Sequence, residues 1–316
     1  MNRLPMSPEY EEYFKSLEDG LNELYEVARR AKRKGLDPSL EPEPQITHDI
    51  AERIEKLIGP PGIGDRMREL EGMDRRAVAF KVAGEIVEGR FGELETVETA
   101  DQAIRTALAI VTEGVTVAPI QGIPEIKIKK NLDNTSYLAV YFAGPIRPAG
   151  GTAQALTLVV ADYVRRKLGL DRFRPSDEAV GRFIEEVDLY QQKVRRFQYH
   201  VTDADLDHAL RSLTVEATGV STDQFEVSNY RDIPGIETNR LRGGALIVVV
   251  DGIVGRAQKL LGICETLELE GWLAIQHREQ DRRERREKGA DGQLHGGDHR
   301  GSTRLLLSKQ DWGFQA

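Results

Sequence analysis

Ser136-Tyr-Leu-Ala-Val-Tyr-Phe142, then Ala143-Gly-Pro-Ile-Arg-Pro-Ala-Gly-Gly-Thr152, then the apolar run on to Leu168 decide how this chain folds. The first segment has the period-two pattern and aromatic and β-branched residues of a strand. The last is apolar at helical spacing. Between them, a glycine-rich loop leaves the strand and enters the helix. Just upstream, Glu125-Ile-Lys-Ile-Lys-Lys130 alternates as well, and the polar Leu132-Asp-Asn-Thr135 between the two strands predicts a β-hairpin.

Toward the N-terminus the period is helical throughout. Ser7-Pro8-Glu9 predicts a helix start, with Ser as N-cap and Pro at the first helical position. Tyr13, Phe14, Leu17, Leu21, Leu24, Tyr25 and Ala28 carry one long helix to Gly35, and a Pro/Glu-rich linker follows from Asp37 to Gln45. Thr47-His-Asp49 opens a helix to Leu57, Gly59-Pro-Pro-Gly62 breaks it, and further helices are expected near 63–71, 74–90 and 98–113. Toward the C-terminus, helices are expected at 152–168, 176–197, 202–212 and 241–267. Thr214–Thr218 and Gln224–Val227 are candidates to pair as further strands. The expected fold class is α+β: a long N-terminal helix and helical first half, a mixed α/β unit with a β-hairpin and helices, and a disordered C-terminal tail. The expected divisions are 1–45, 46–272 and 273–316.

Composition narrows the function. Of 316 residues, 40% are hydrophobic, and 44 Lys+Arg stand against 52 Asp+Glu for a net charge of -8. The chain lacks any run of about 18 apolar residues, which excludes a membrane helix. Met1 to Tyr10 lacks the basic-then-apolar pattern of an export signal. A single cysteine, Cys264, rules out a disulfide framework or a cysteine-built zinc site, and a cytoplasmic location is expected. The acidic balance argues against one large nucleic-acid-binding surface but not against a local basic stripe. From Leu273 onward nine basic and seven acidic residues sit in Arg-rich and Gly/His/Asp-rich text, a net +2 against -10 for the rest. By composition that segment reads as disordered.

The glycine loop is the sharpest local feature. At a strand-to-helix turn, free backbone N–H groups and the helix dipole favour an anion. Gly150, Gly151 and Arg147 are the candidate contacts, with Thr152 as the expected helix cap. The spacing fits neither a Walker A loop nor a dinucleotide fingerprint, and a tight turn whose glycines only satisfy geometry is the competing reading. A basic stripe follows: Arg165, Arg166 and Lys167 end the same helix, Arg172 and Arg174 come next, and Lys193, Arg195 and Arg196 close the following helix before Phe197 and Tyr199. Cations at helix C-termini are expected for dipole reasons alone. Glu185, Glu186 and Asp188, and likewise Asp203, Asp205 and Asp207, do not read as carboxylates converging on two metal ions. No catalytic residue, metal ligand or cofactor is expected in this chain.

Six phrases in order carry a resemblance: Leu57-Ile-Gly-Pro-Pro-Gly-Ile63, Ala103-Ile-Arg-Thr-Ala-Leu-Ala-Ile110, the glycine loop through Leu156, Asp162-Tyr-Val-Arg-Arg-Lys-Leu-Gly-Leu-Asp-Arg172, Glu185-Glu-Val-Asp-Leu-Tyr190 and Pro234-Gly-Ile-Glu-Thr-Asn-Arg-Leu-Arg-Gly-Gly-Ala245. Over about residues 8–272 the chain resembles the N-terminal region of the large subunit of archaeal D-family DNA polymerases. The resemblance implies a fragment of a replicative DNA-directed DNA polymerase, a nucleotidyltransferase, that acts in DNA binding and holoenzyme assembly. The catalytic core, with its magnesium and zinc, would lie downstream of this chain. That the segment from Leu273 onward is frameshifted is likewise implied only by this resemblance. Implied partners are primer-template DNA and a small 3′–5′ exonuclease subunit, at the nucleoid; self-association is a separate expectation that rests on the long N-terminal helix. Arg242, in the last phrase, joins Arg147, Gly150, Gly151, Thr152, Arg165, Arg166, Lys167 and Arg172 as the candidate nucleic-acid contacts. Two other readings stand beside this one: a stand-alone nucleotide- or phosphate-binding protein using Gly144–Thr152, and a structural dimerisation module.

Overall fold

A helix with no polar face must be covered on every side. In the computed structural model, which describes residues 7–36, 47–114 and 117–266, helix α7 (Gly150–Lys167) occupies that position, with every residue from Ala153 to Asp162 buried. The expected linker 37–45 and tail 273–316 lie outside the described residues.

The helical half packs on one flank of α7. It comprises α2 (Ile50–Leu57), α3 (Ile63–Glu69), α4 (Arg75–Val87), α5 (Thr96–Val111) and a short α6 (Val117–Gln121), with α4 and α5 directly against α7. Side chains cap two of these helices: Asp49 accepts the Glu52 amide, and Asp74 accepts the amides of Arg76 and Ala77. At the Gly59–Gly62 corner, the Glu55 carboxylate accepts the N–H groups of Gly62 and Gly64 at 3.0 and 2.7 Å. The corner is thus satisfied from inside.

On another flank lies a three-stranded sheet in the order β1-β2-β3. β1 (Glu125–Lys130) and β2 (Ser136–Phe142) form the expected antiparallel hairpin. β3 (Glu216–Gly219) pairs parallel to β2, register Ala139 opposite Glu216. The expected pairing of Thr214–Thr218 with Gln224–Val227 does not form, and Glu226 makes only an isolated bridge to Arg240. The reason is topological: the crossover through α7, α8 (Asp177–Lys193) and α9 (Asp203–Ser212) returns the chain parallel to β2, whose free edge takes it.

The single helix expected over 241–267 is three pieces: α10 (Gly243–Ile247), a π-helical stretch Val248–Val254 and α11 (Ala257–Thr266). The π stretch crosses the first turn of α7 at close range. A Cβ on Gly252 would lie 3.3 Å from both the Gly151 carbonyl and the Ala155 nitrogen. One apolar cluster runs from Ile54 to Cys264 and joins the helical half to the sheet half. α1 (Pro8–Arg33) adds nothing to it: none of its residues is buried, and Tyr13, Phe14, Leu17 and Leu24 are exposed. Its C-terminal end closes as expected, with Gly35 at φ +79°.

Candidate nucleic-acid interface

After Phe142 the chain makes a 3-10 turn, Gly144–Ala149, and Gly150 at φ +77° redirects it into α7. That φ suits glycine and strains other residues. Helix α7 therefore begins two residues earlier than expected, and Thr152 is not its cap. Ala149 occupies the cap position, so no side chain accepts the first amides. Gly150's own N–H is already engaged, donating to the Arg147 carbonyl. Gly151 is needed for close approach, since a Cβ there would meet the Asp251 carbonyl oxygen at 2.9 Å.

A cleft opens over this helix start, lined by Arg147, Gly150, Gly151 and Gln154 from one side, Tyr190 and the 195–198 segment from another, and Ile247 and Asp251 from a third. Arg147 donates from Nη2 to the Tyr190 hydroxyl at 2.8 Å. Tyr190 in turn stacks on Phe197, ring centroids 5.1 Å apart. Asp251, carried by the π stretch, accepts the amides of Gln198 and Tyr199 at 2.8 and 3.4 Å and so ties this segment to the wall. Burial pushes the Asp251 carboxyl above its usual range, opposed by these amides and by Arg147 and Arg195. Gln154, 2% exposed, donates to the carbonyls of Ile146 and Arg147, both at 3.2 Å, while its Oε1 has no protein partner. Among the described residues, Arg147, Arg195 and Arg196 form no ion pair. Three guanidinium groups thus stand against one carboxylate, and the cleft is electropositive.

The family model described as "DNA polymerase II large subunit DP2, N-terminal" matches residues 12–280. The chain belongs to that family. It is 50% identical over 273 residues to the DNA polymerase II large subunit of Pyrococcus horikoshii, covering 85% of this chain and 19% of that protein. The corresponding values are 51% over 271 residues for Thermococcus kodakarensis (84% and 15%) and 49% over 262 residues for Methanococcus vannielii (83% and 23%). The chain therefore spans about a fifth of the length of these relatives.

In this family member, the other candidate contacts have internal partners. Arg165 binds Asp162 at 2.9 Å and the Leu170 carbonyl at 2.6 Å, and Arg166 reaches the same Asp162 at 3.2 Å. Lys167 pairs with Glu88 on the helical half. Arg172 is exposed, and its guanidinium reaches the Arg211 carbonyl at 3.4 Å. Arg242 is 3% exposed, paired with fully buried Glu186 at 3.0 Å, and donates to the Thr218 hydroxyl. In this conformation its guanidinium faces the protein interior. The structure thus brings Arg147, Gly150 and Gly151 into one cleft, while Arg165, Arg166 and Lys167 stand at the far end of α7. Its 18 residues put that end roughly 25 Å away.

Gln154 and Asp251 were not among the candidates. Each is a polar residue inside an apolar stretch, Asp251 within Val248-Val-Val-Asp-Gly-Ile-Val254, and that is the signal that could have found them. Arg195 and Arg196 belonged to the basic stripe but not to the candidate contacts. Among the described residues no group of three or more His, Cys, Asp or Glu could hold a metal ion, and no helix is long and apolar enough to cross a membrane.

Proposed function

We propose that this chain is the N-terminal module of a replicative DNA polymerase large subunit and holds the DNA backbone in the cleft at the start of α7. The observation that carries this reading is a difference between cations. Arg147, Arg195 and Arg196 face a common cleft beside an uncapped helix start, whereas Arg165, Arg166, Lys167 and Arg242 are ion-paired within the fold. Guanidinium groups without an ion-pair partner, beside a helix start, are what a phosphate recruits. Magnesium-dependent chemistry would belong to parts of the polymerase beyond this chain. Assembly is the second part of the proposal. The apolar stripe of α1 is suited to contact with the rest of the polymerase, its small exonuclease subunit or a second copy, an arrangement that would act on the nucleoid.

The test is a fluorescence-anisotropy titration with primer-template DNA at several salt concentrations. Arg147→Ala and the pair Arg195→Ala/Arg196→Ala should weaken binding and lower the salt slope by about 0.9 for each phosphate no longer neutralised. Arg166→Ala should change both less. Unchanged affinity in the folded cleft variants would reduce the loop to a turn. Free dNTP binding saturably while DNA does not would favour the stand-alone nucleotide-binding reading.

A further inference from the structure

We propose that the cleft at the start of α7 selects a phosphate monoester, so that on DNA it takes the terminal phosphate of a strand rather than an internal phosphodiester. This rests on the reading that the cleft holds phosphate, and goes further by asking which phosphate. The cations in the cleft, Arg147, Arg195 and Arg196, would bind any oxyanion. The discriminating groups are the acceptors.

Gln154 is the first of these. Its amide orientation follows from its surroundings, because Nε2 faces two carbonyl oxygens, of Ile146 and Arg147, and exchanging the two amide atoms would set oxygen against oxygen. Oε1 is therefore an acceptor, buried and without a partner. A buried acceptor left unmade costs on the order of 1–3 kcal/mol, so such a group points to a donor that comes from outside the chain.

Asp251 is the second. It is 8% exposed and lines the same cleft. The two amides it accepts both reach Oδ1, and no protein donor to Oδ2 is found among the described residues. It is carried on a π-helical stretch, a distortion of the α ladder that recurs at functional sites. A cleft with three cations, an unpaired carboxylate oxygen on Asp251 and a lining glutamine whose buried Oε1 lacks a partner suits a ligand that is anionic and also brings a hydrogen. An internal phosphodiester is ionised and has no hydrogen to give, nor has sulfate. A phosphate monoester loses its second proton near pH 6, so close to neutrality it readily keeps or shares one. Its charged oxygens would meet Arg147 and Arg195, and its hydroxyl would be donated to Oε1 of Gln154 or to the Asp251 carboxylate.

The experiment uses the 316-residue chain and DNA labelled at the 3′ end, with either a 5′-phosphate or a 5′-hydroxyl. The phosphorylated strand should bind about tenfold more tightly, the scale of one charge-assisted hydrogen bond. Inorganic phosphate should displace it, and sulfate at equal ionic strength should not. A nucleoside 5′-monophosphate arm shows whether the monoester must sit on a strand. Asp251→Asn keeps an acceptor for the Gln198 amide but turns the second oxygen into a donor, so sulfate should then compete as phosphate does. The proposal is overturned if wild-type protein treats phosphate and sulfate alike, or binds the 5′-hydroxyl strand as tightly as the phosphorylated one. DNA binding that persists under either result leaves the backbone-contact reading intact and removes only the selectivity. Because the phosphate–sulfate comparison is made on the wild type, it decides the matter even if Asp251→Asn fails to fold.

Discussion

Arg147 and Arg242 both precede glycines at the start of a helix, yet one faces solvent and the other the core. Arg242 and fully buried Arg182 share Glu186, which accepts from Nε of Arg182 at 2.6 Å and from the Arg242 amide at 3.0 Å. Burial pushes the Arg182 guanidinium below its ordinary value, and the Glu186 charge opposes that shift. Such a triad is held by reciprocity, since removing one member strands the others as buried charges. Glu186→Ala should therefore destabilise the chain by about 3–5 kcal/mol, read from urea unfolding. A loss under about 1 kcal/mol, within the range of an exposed pair, would mean that water reaches the site.

At the scale of elements, α1 and α7 carry leucines in opposite situations. α7 is buried from Ala153 to Asp162, and Leu158 is fully buried beneath its neighbours. Leu24 of α1 is 66% exposed. Truncating Leu158 to Ala removes buried surface and leaves a cavity, so it should cost about 2–5 kcal/mol in denaturant unfolding. Leu24→Ala should change stability by no more than about 0.5 kcal/mol. A large effect at Leu24 would show that α1 is covered in solution, for instance by a second copy. Light scattering of the same two variants separates that case from a folding defect.

Among the described residues the main apolar cluster runs from Ile54 to Cys264, with a smaller one of Tyr137, Ala139 and Tyr141 on the other face of the sheet, and the cleft lies where three segments distant in sequence meet. No group of carboxylates among the described residues is placed to hold the metal ions that phosphoryl transfer uses. On the reading that the polymerase's chemistry belongs to parts beyond this chain, the purified chain should neither extend a primer nor degrade labelled DNA in magnesium. Extension that co-purifies with the chain and vanishes in a cleft variant would sink that expectation.

Sequence alone determined what is local. The helices of the first half followed from their three- and four-residue apolar spacing. The hairpin followed from two alternating runs around a polar turn, and the turn into α7 from its glycines, because each is set by residues near one another in the chain. The family, too, was legible in six short phrases. What tertiary structure decided is everything that depends on a distant neighbour. The parallel partner of β2 arrives from more than 70 residues away. The register change at Val248–Val254 occurs where that stretch crosses the start of α7. The sorting of the cations is in part of the same kind. Asp162 stands one turn before Arg165 and Arg166 on the same helix, so their pairing is local, whereas only the fold brings Glu88 to Lys167 and Glu186 to Arg242 and leaves Arg195 open to the cleft. A side chain's charge is local, but whether that charge is already neutralised depends on what the fold brings within a few ångströms of it.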